Sequence, residues 1–101
     1  MTLISESAFH ALGLVDADDL AVRAELMSTI TRIVKQRRLT DVEVGTLIDM
    51  DQPRVSALLR GKITKFSTAG LLKVLGDLGW DVEMRIVPAQ SGKGRVHVLA
   101  A

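Results

Sequence analysis

Two helix start signals stand eleven residues apart near the middle of the chain, and they constrain the fold more than any other feature. The first is Thr40 followed three residues later by Glu43. This spacing is a capping box, in which each side chain accepts a hydrogen bond from the backbone amide of the other residue. It predicts a helix that begins at Asp41 and runs to about Ile48. Because the second signal follows so soon, this helix has only about two turns.

The second signal starts another short helix. Asp51 is an N-cap candidate, and Pro53 is tolerated in a helix only within the first turn. Gly61 stands where helices commonly end on a left-handed residue, so we predict this helix over about residues 52–60. Two short helices joined by three residues, with longer helices on either side, form a helix-turn-helix, here predicted over residues 40–61.

Individual residues around the turn agree with this motif. Gly45 is small at the place where the second helix must cross the first. Asp49 belongs to the residue types that tolerate a positive φ, and Met50 is an apolar turn residue that can enter the core. The predicted inner face of the second helix is apolar, consisting of Val55, Leu58 and Leu59.

The outer face and the N-terminal end of the second helix are left to Gln52, Arg54, Ser56 and Ala57. In a helix-turn-helix, such positions reach base edges and phosphates in the major groove of DNA. The pattern therefore predicts binding to double-stranded DNA. The alternative interpretation is a plain helical hairpin with a solvated surface.

Longer helices are predicted on both sides of the motif. Apolar residues recur at helical spacing over about residues 20–37, which makes this the longest helix. Ser67 is an N-cap candidate for a further helix that runs to about Leu78, with Phe66 and Leu71 spaced to form a hydrophobic staple. Residues 18–79 thus make up a helical core.

The two ends of the chain are predicted to differ from this core. Residues 1–17 form an N-terminal extension with a short helical turn within 5–14, and the acidic cluster that follows is interpreted as helix caps: Asp16, Asp18 and Asp19. After Trp80, expected in the core, the apolar period becomes two, which predicts a strand over 82–87 and a short second strand over 95–98. An isolated hairpin is marginal in water, so this β element (residues 80–101) should pack on the helices or pair with a second subunit.

Composition and charge are compatible with one domain of 101 residues, 48% of them hydrophobic, without cysteine and with a net charge of +1. The charge is unevenly distributed, because residues 35–65 carry seven Lys and Arg against four Asp and Glu, and residues 1–34 carry two against five. The predicted DNA-binding motif is therefore basic, and the acidic first third is a separate surface. No secretory signal and no apolar run of about 20 residues is present, which favours a cytoplasmic protein with no membrane span.

Several short segments of the sequence resemble those of a known family. The segments are Leu39 and Thr40, residues 52–62, Phe66 and Ser67, residues 75–79, and, in the extension, Phe9, Leu12, Gly13 and Leu14. Together they resemble the Cro/repressor-type (XRE) helix-turn-helix regulators, and more closely the subgroup of HigA-like antitoxins, over most of residues 7–87. Two positions depart from the family pattern: Asp41 stands where Gln is usual, and Asp49 where Gly is usual.

The sequence thus predicts a mainly α bundle with a short C-terminal β-strand or hairpin. The resemblance implies that the bundle is lambda-repressor-like and that the protein acts as a homodimeric DNA-binding transcriptional regulator, a repressor. It implies base and phosphate contacts from Gln52 and Arg54, a groove-lining role for Ser56 and Ala57, and phosphate contacts at the end of the motif from Arg60, Lys62 and Lys65. The dimer interface is expected at residues 82–87, since pairing removes an exposed strand edge.

The main alternative is a protein-binding module, an antitoxin that neutralises a toxin through the acidic first third. An enzyme is not expected, because no nucleophile and base are suitably paired. His10 and His97 lack the spacing of metal ligands, and Gly92 to Gly94 lacks the pattern of a phosphate-binding loop, so we expect neither a metal nor a cofactor.

Overall fold

The computed structural model describes residues 16–100, which contain four α-helices. We number them α1 (Asp16–Gln36), α2 (Asp41–Ile48), α3 (Gln52–Leu59) and α4 (Thr68–Asp77), with a short 3-10 helix at Ile63–Lys65. The predicted mainly helical fold is therefore confirmed, and the 3-10 helix was not predicted. The turn predicted within residues 5–14 lies outside the described residues.

The predicted capping signals set the bounds of α2 and α3. The Thr40 hydroxyl accepts a hydrogen bond from the Glu43 amide at 3.1 Å, and the Glu43 carboxylate accepts one from the Thr40 amide at 2.9 Å. The Asp51 carboxylate accepts from the Arg54 amide at 3.0 Å. Asp49, between the helices, has a φ of 52°, in the left-handed region that its sequence position predicts. Because these bonds involve neighbouring residues, the sequence predicts both helix starts correctly.

The core lies where the four helices meet. Its five largest fully buried side chains come from every helix: Ile30 of α1, Val44 of α2, Val55 and Leu58 of α3, and Leu71 of α4. Burying an aliphatic side chain of this size contributes about 1.5–3 kcal/mol. The two short helices are therefore held by α1 and α4 rather than by their own helix propensity, since isolated helices of two turns are unstable.

The C-terminal end of α4 is bound to the end of α1. Gly79 follows α4 with a φ of 88°, a left-handed conformation that glycine adopts without steric cost. The Arg37 guanidinium donates a hydrogen bond to the Leu78 carbonyl oxygen at 2.7 Å, so a cation satisfies one of the last carbonyls of the helix.

The prediction that the acidic cluster at the start of α1 consists of helix caps is wrong for Asp19. The helix already begins at Asp16, so Asp19 lies within its first turns. The Asp19 carboxylate is buried and accepts hydrogen bonds from the Thr68 hydroxyl at 2.8 Å and from the Arg23 guanidinium at 2.5 Å. Asp19 therefore joins α1 to α4, a tertiary role that local spacing does not indicate.

The predicted C-terminal hairpin is absent from the structure, since residues 80–100 contain no strand. The predicted strands over 82–87 and 95–98 do not pair, and a strand without a partner has no ladder of hydrogen bonds to stabilise it. Val96 and Val98 pack against the helical core instead. The prediction that Trp80 is a core residue is also wrong, because 43% of its surface is exposed.

Candidate nucleic-acid interface

The turn between α2 and α3 brings the two helices unusually close. A Cβ atom added to Gly45 would lie 2.8 Å from the Met50 carbonyl oxygen and 3.4 Å from a methyl group of Val55. Only glycine fits at such a separation. The Met50 amide in turn donates to the Gly45 carbonyl oxygen at 2.9 Å, and its side chain packs partly buried against the core. These contacts fix the direction in which α3 leaves the turn.

Most of the predicted DNA-contacting residues lie on the surface. The exposed ones are Gln52, Arg54, Arg60, Lys62 and Lys65. Ser56 is half-buried, and Ala57 is half-buried and packs against the core. The outer surface of α3 is therefore polar and basic at its two ends, with small residues between them, which allows another molecule to approach the helix closely.

Arg60 is brought next to two cations of α1: Lys35, at the start of the basic segment 35–65, and Arg32, which lies outside that segment. Arg60 lines a surface groove of about 640 Å³ together with Arg32 and Lys35. Both α1 residues are exposed. The basic surface formed by residues 35–65 thus extends to Arg32 of α1, through a spatial proximity that the order of residues does not reveal.

Arg54 has an aromatic neighbour, Phe66, for which the sequence pattern indicates only a hydrophobic staple. Its guanidinium carbon lies 4.8 Å from the centre of the Phe66 ring, within the range of a cation–π interaction. Its backbone amide is bound by the Asp51 carboxylate, so both ends of the residue have a defined contact. The only sequence signal for this pairing is the presence of Phe66 just before α4.

The N-terminus of α2 carries two carboxylates on the exposed side of the motif. The hydrogen bond from the Thr40 backbone amide, with a further contribution from the Thr40 side chain, holds the pKa of the Glu43 carboxyl below its ordinary value of 4.5. Asp41 is exposed in the same turn. Both charges stabilise the helix N-terminus, and both oppose a phosphate placed there.

Comparison with known proteins agrees with this geometry. A family model described as a helix-turn-helix domain matches residues 8–87. This chain belongs to the helix-turn-helix domain family. A solved protein named as an XRE family transcriptional regulator is similar to it, with a TM-score of 0.78, 29% sequence identity, and coverage of 86% of this chain and 100% of that chain. No curated protein matches the chain.

The match supports membership of the XRE group of this helix-turn-helix family, as the resemblance in the sequence implied. Residues 16–100 contain no group of three or more His, Cys, Asp and Glu residues placed to hold a metal ion. Within the same residues, no helix is long and apolar enough to cross a membrane.

Proposed function

We propose that this helix-turn-helix protein is a sequence-specific transcriptional regulator that binds double-stranded DNA as a homodimer and represses the genes it controls. One observation carries the proposal: the first turn of α3 presents Gln52 and Arg54 on an exposed surface directly after the tight turn that fixes its direction. In DNA-binding helix-turn-helix proteins, this end of the second helix contacts base edges. The similarity to an XRE family transcriptional regulator further supports the proposal.

Each residue on this surface has a chemically suitable role. Gln52 presents an amide that pairs with adenine, and Arg54 presents a guanidinium that pairs with guanine. Ser56 and Ala57 are small enough to let α3 enter the major groove. The remaining cations, Arg60, Lys62 and Lys65, would contact phosphates and fix the orientation of the protein on the duplex.

The proposed homodimer uses residues 82–87. Val82 is 42% exposed and Ile86 is 84% exposed, although both are large apolar residues. They alternate in sequence with charged residues, as in a strand with one apolar face. Pairing with the same segment of a second copy would bring these side chains into cross-strand contact and satisfy the backbone groups that face the partner.

The charges of this segment favour one antiparallel register. With the two-fold axis at Met84, Val82 stands opposite the partner's Ile86, and Glu83 stands opposite the partner's Arg85. Registers centred on Glu83 or Arg85 place like charges directly opposite each other, which is destabilising. In the Met84-centred register, the backbone groups of Glu83 and Arg85 can form the hydrogen bonds between the subunits. The backbone groups of Met84 then point to the opposite edge of the strand and take no part in the pairing.

A mobility-shift titration tests the DNA-binding proposal. The protein is titrated at several salt concentrations against the DNA upstream of its own gene and against a scrambled duplex of equal length. We expect Arg54→Ala to weaken binding to the specific site by about 1–3 kcal/mol, and Lys62→Ala to weaken binding to all sequences alike and reduce the salt slope by about 1. Lys73→Ala removes an exposed cation of α4 that is paired with Asp77 and serves as the charge control. The upstream DNA serves as the operator in this test. Equal affinity of the wild type for the operator and for the scrambled duplex would contradict sequence-specific binding to this operator.

The alternative function, neutralisation of a toxin through the acidic first third of the chain, receives less support. Asp19 contributes to that acidic charge in the sequence, but its carboxylate is buried against Arg23 and Thr68 and offers little to a basic partner. Co-purification of a toxin encoded beside this gene would favour the alternative. The two roles are compatible on one chain.

A further inference from the structure

Arg54 lies over the ring of a residue that is itself almost completely buried. Its guanidinium carbon is 4.8 Å from the centre of the Phe66 ring, and Phe66 has an exposed fraction of 4%. Arg54 is an exposed residue of α3, whereas Phe66 precedes α4. The contact therefore joins the proposed DNA-reading helix to a different part of the fold.

Within residues 16–100, the defined contact of the Arg54 guanidinium is with the Phe66 ring. In this part of the chain the guanidinium forms no salt bridge, and the hydrogen bond of Arg54 with Asp51 involves its backbone amide only. A free arginine side chain samples many rotamers, and ordering it on binding reduces affinity. A flat ring beneath the guanidinium restricts those rotamers before DNA arrives and leaves the N–H groups, which lie in the guanidinium plane, available for hydrogen bonds.

The backbone of Phe66 is held by polar contacts from α1. Its carbonyl oxygen accepts a hydrogen bond from the Arg23 guanidinium at 2.8 Å. The same guanidinium is paired with the Asp19 carboxylate at 2.5 Å, and Asp19 also accepts from the Thr68 hydroxyl at 2.8 Å. These three bonds anchor both sides of Ser67, the N-cap of α4, so the ring is attached to a rigid support.

We propose that Phe66 is a positioning residue for DNA recognition, which acts by holding the Arg54 guanidinium in the orientation that reads a base edge. The inference rests on the proposed DNA binding and adds a determinant of specificity that does not itself contact DNA. A purely structural role predicts something different. As the hydrophobic staple of α4 alone, Phe66 would influence stability but not the discrimination between operator and other DNA.

A double-mutant cycle distinguishes these roles. Phe66→Leu keeps an apolar side chain in the core and removes the aromatic face, and Arg54→Ala removes the guanidinium. We expect Phe66→Leu to reduce the ratio of operator affinity to scrambled-duplex affinity by about two- to fivefold. In the Arg54→Ala background, Phe66→Leu should leave this ratio unchanged, because the group that it positions is gone. Leu71→Val, a truncation in the same staple, is the matched control and should lower stability without changing the ratio.

A second measurement needs no DNA. In the NMR spectrum of the wild-type protein, the ring current of Phe66 should shift the Arg54 side-chain protons upfield. Phe66→Leu should abolish this shift while the backbone resonances of α3 remain those of a folded helix. Unchanged Arg54 resonances, or a Phe66→Leu variant that discriminates operator DNA as well as Leu71→Val does, would overturn the positioning role alone. A wild-type protein without any operator preference would overturn both this inference and the proposed function.

Discussion

Gly45 and Met50 approach each other so closely that a Cβ atom on Gly45 would lie 2.8 Å from the Met50 carbonyl oxygen. Real Cβ atoms do not come this near to a backbone oxygen, and the oxygen belongs to the turn itself, so it cannot move without displacing α3. The separation of the two helices, and with it the direction of the exposed residues of α3, depends on the missing side chain at position 45.

Gly45→Ala should therefore lower the free energy of unfolding, by about 1–3 kcal/mol, because overpacking at this crossing outweighs the gain in helix propensity. Chemical denaturation measures the change. Gly76→Ala is the matched control, since a Cβ atom there would meet nothing within 4 Å. We expect it to stabilise α4 by up to about 1 kcal/mol. Equal effects of the two substitutions would contradict the close packing at the turn.

The buried carboxylate of Asp19 should matter much more for stability than an exposed one. Asp19→Ala removes the acceptor of both the Arg23 guanidinium and the Thr68 hydroxyl, and we expect a loss of about 2–4 kcal/mol in thermal or chemical unfolding. Asp77→Ala breaks the pair with Lys73, whose side chain is 73% exposed, and should cost less than about 0.5 kcal/mol. A small effect at Asp19 would show that α1 and α4 are joined by apolar contacts alone.

The capping box at the start of α2 should weaken in acid. Folding lowers the pKa of Glu43 below its ordinary value of 4.5. The carboxylate therefore stabilises the protein at pH values above 4.5, and this contribution disappears as the pH falls through the folded pKa. Glu43→Gln keeps an uncharged acceptor at every pH. The wild type should therefore lose more stability than Glu43→Gln as the pH falls through and below 4.5 in urea denaturation. Glu25→Gln, on the exposed side of α1, controls for the loss of a negative charge elsewhere.

The proposed register of the dimer can be tested by exchanging charges. Glu83→Arg should weaken dimerisation, because it places an arginine opposite the partner's Arg85. Combining Glu83→Arg with Arg85→Glu restores opposite charges across the axis and should restore the dimer in sedimentation equilibrium. A wild-type protein that remains monomeric at about 50 µM would argue against dimerisation through this segment, since a dissociation constant in the micromolar range or below gives mostly dimer at this concentration. Failure of the double variant alone would argue against the register.

Local signals were enough to locate the helix-turn-helix. The caps at Thr40 and Asp51 act through hydrogen bonds that reach only three residues along the chain. The left-handed conformation of Asp49 depends on the dihedral preference of that residue alone. Such features depend little on the rest of the fold. The sequence therefore predicted the bounds of α2 and the start of α3, and it predicted which residues of α3 are exposed at its N-terminal end.

The predictions failed where a residue's role depends on partners that are distant in sequence. Asp19 is spaced like a helix cap but bonds to Thr68, 49 residues away. The alternation over residues 82–87 resembles a strand, yet alternation cannot supply the second strand that a ladder requires. Trp80 is apolar enough for the core, but the four helices fill the core without burying it.

By itself, the sequence determined where the helices of the motif begin, how they turn, and that basic residues concentrate around them. Only the tertiary structure decided that the Phe66 ring lies beneath Arg54, that Arg23 of α1 bonds to the Phe66 carbonyl oxygen, and that residues 80–100 form no hairpin. The physical reason is the range of the interactions. Capping bonds and dihedral preferences act within a few residues, whereas ring contacts, buried ion pairs and strand pairing form only after helices distant in sequence have packed together.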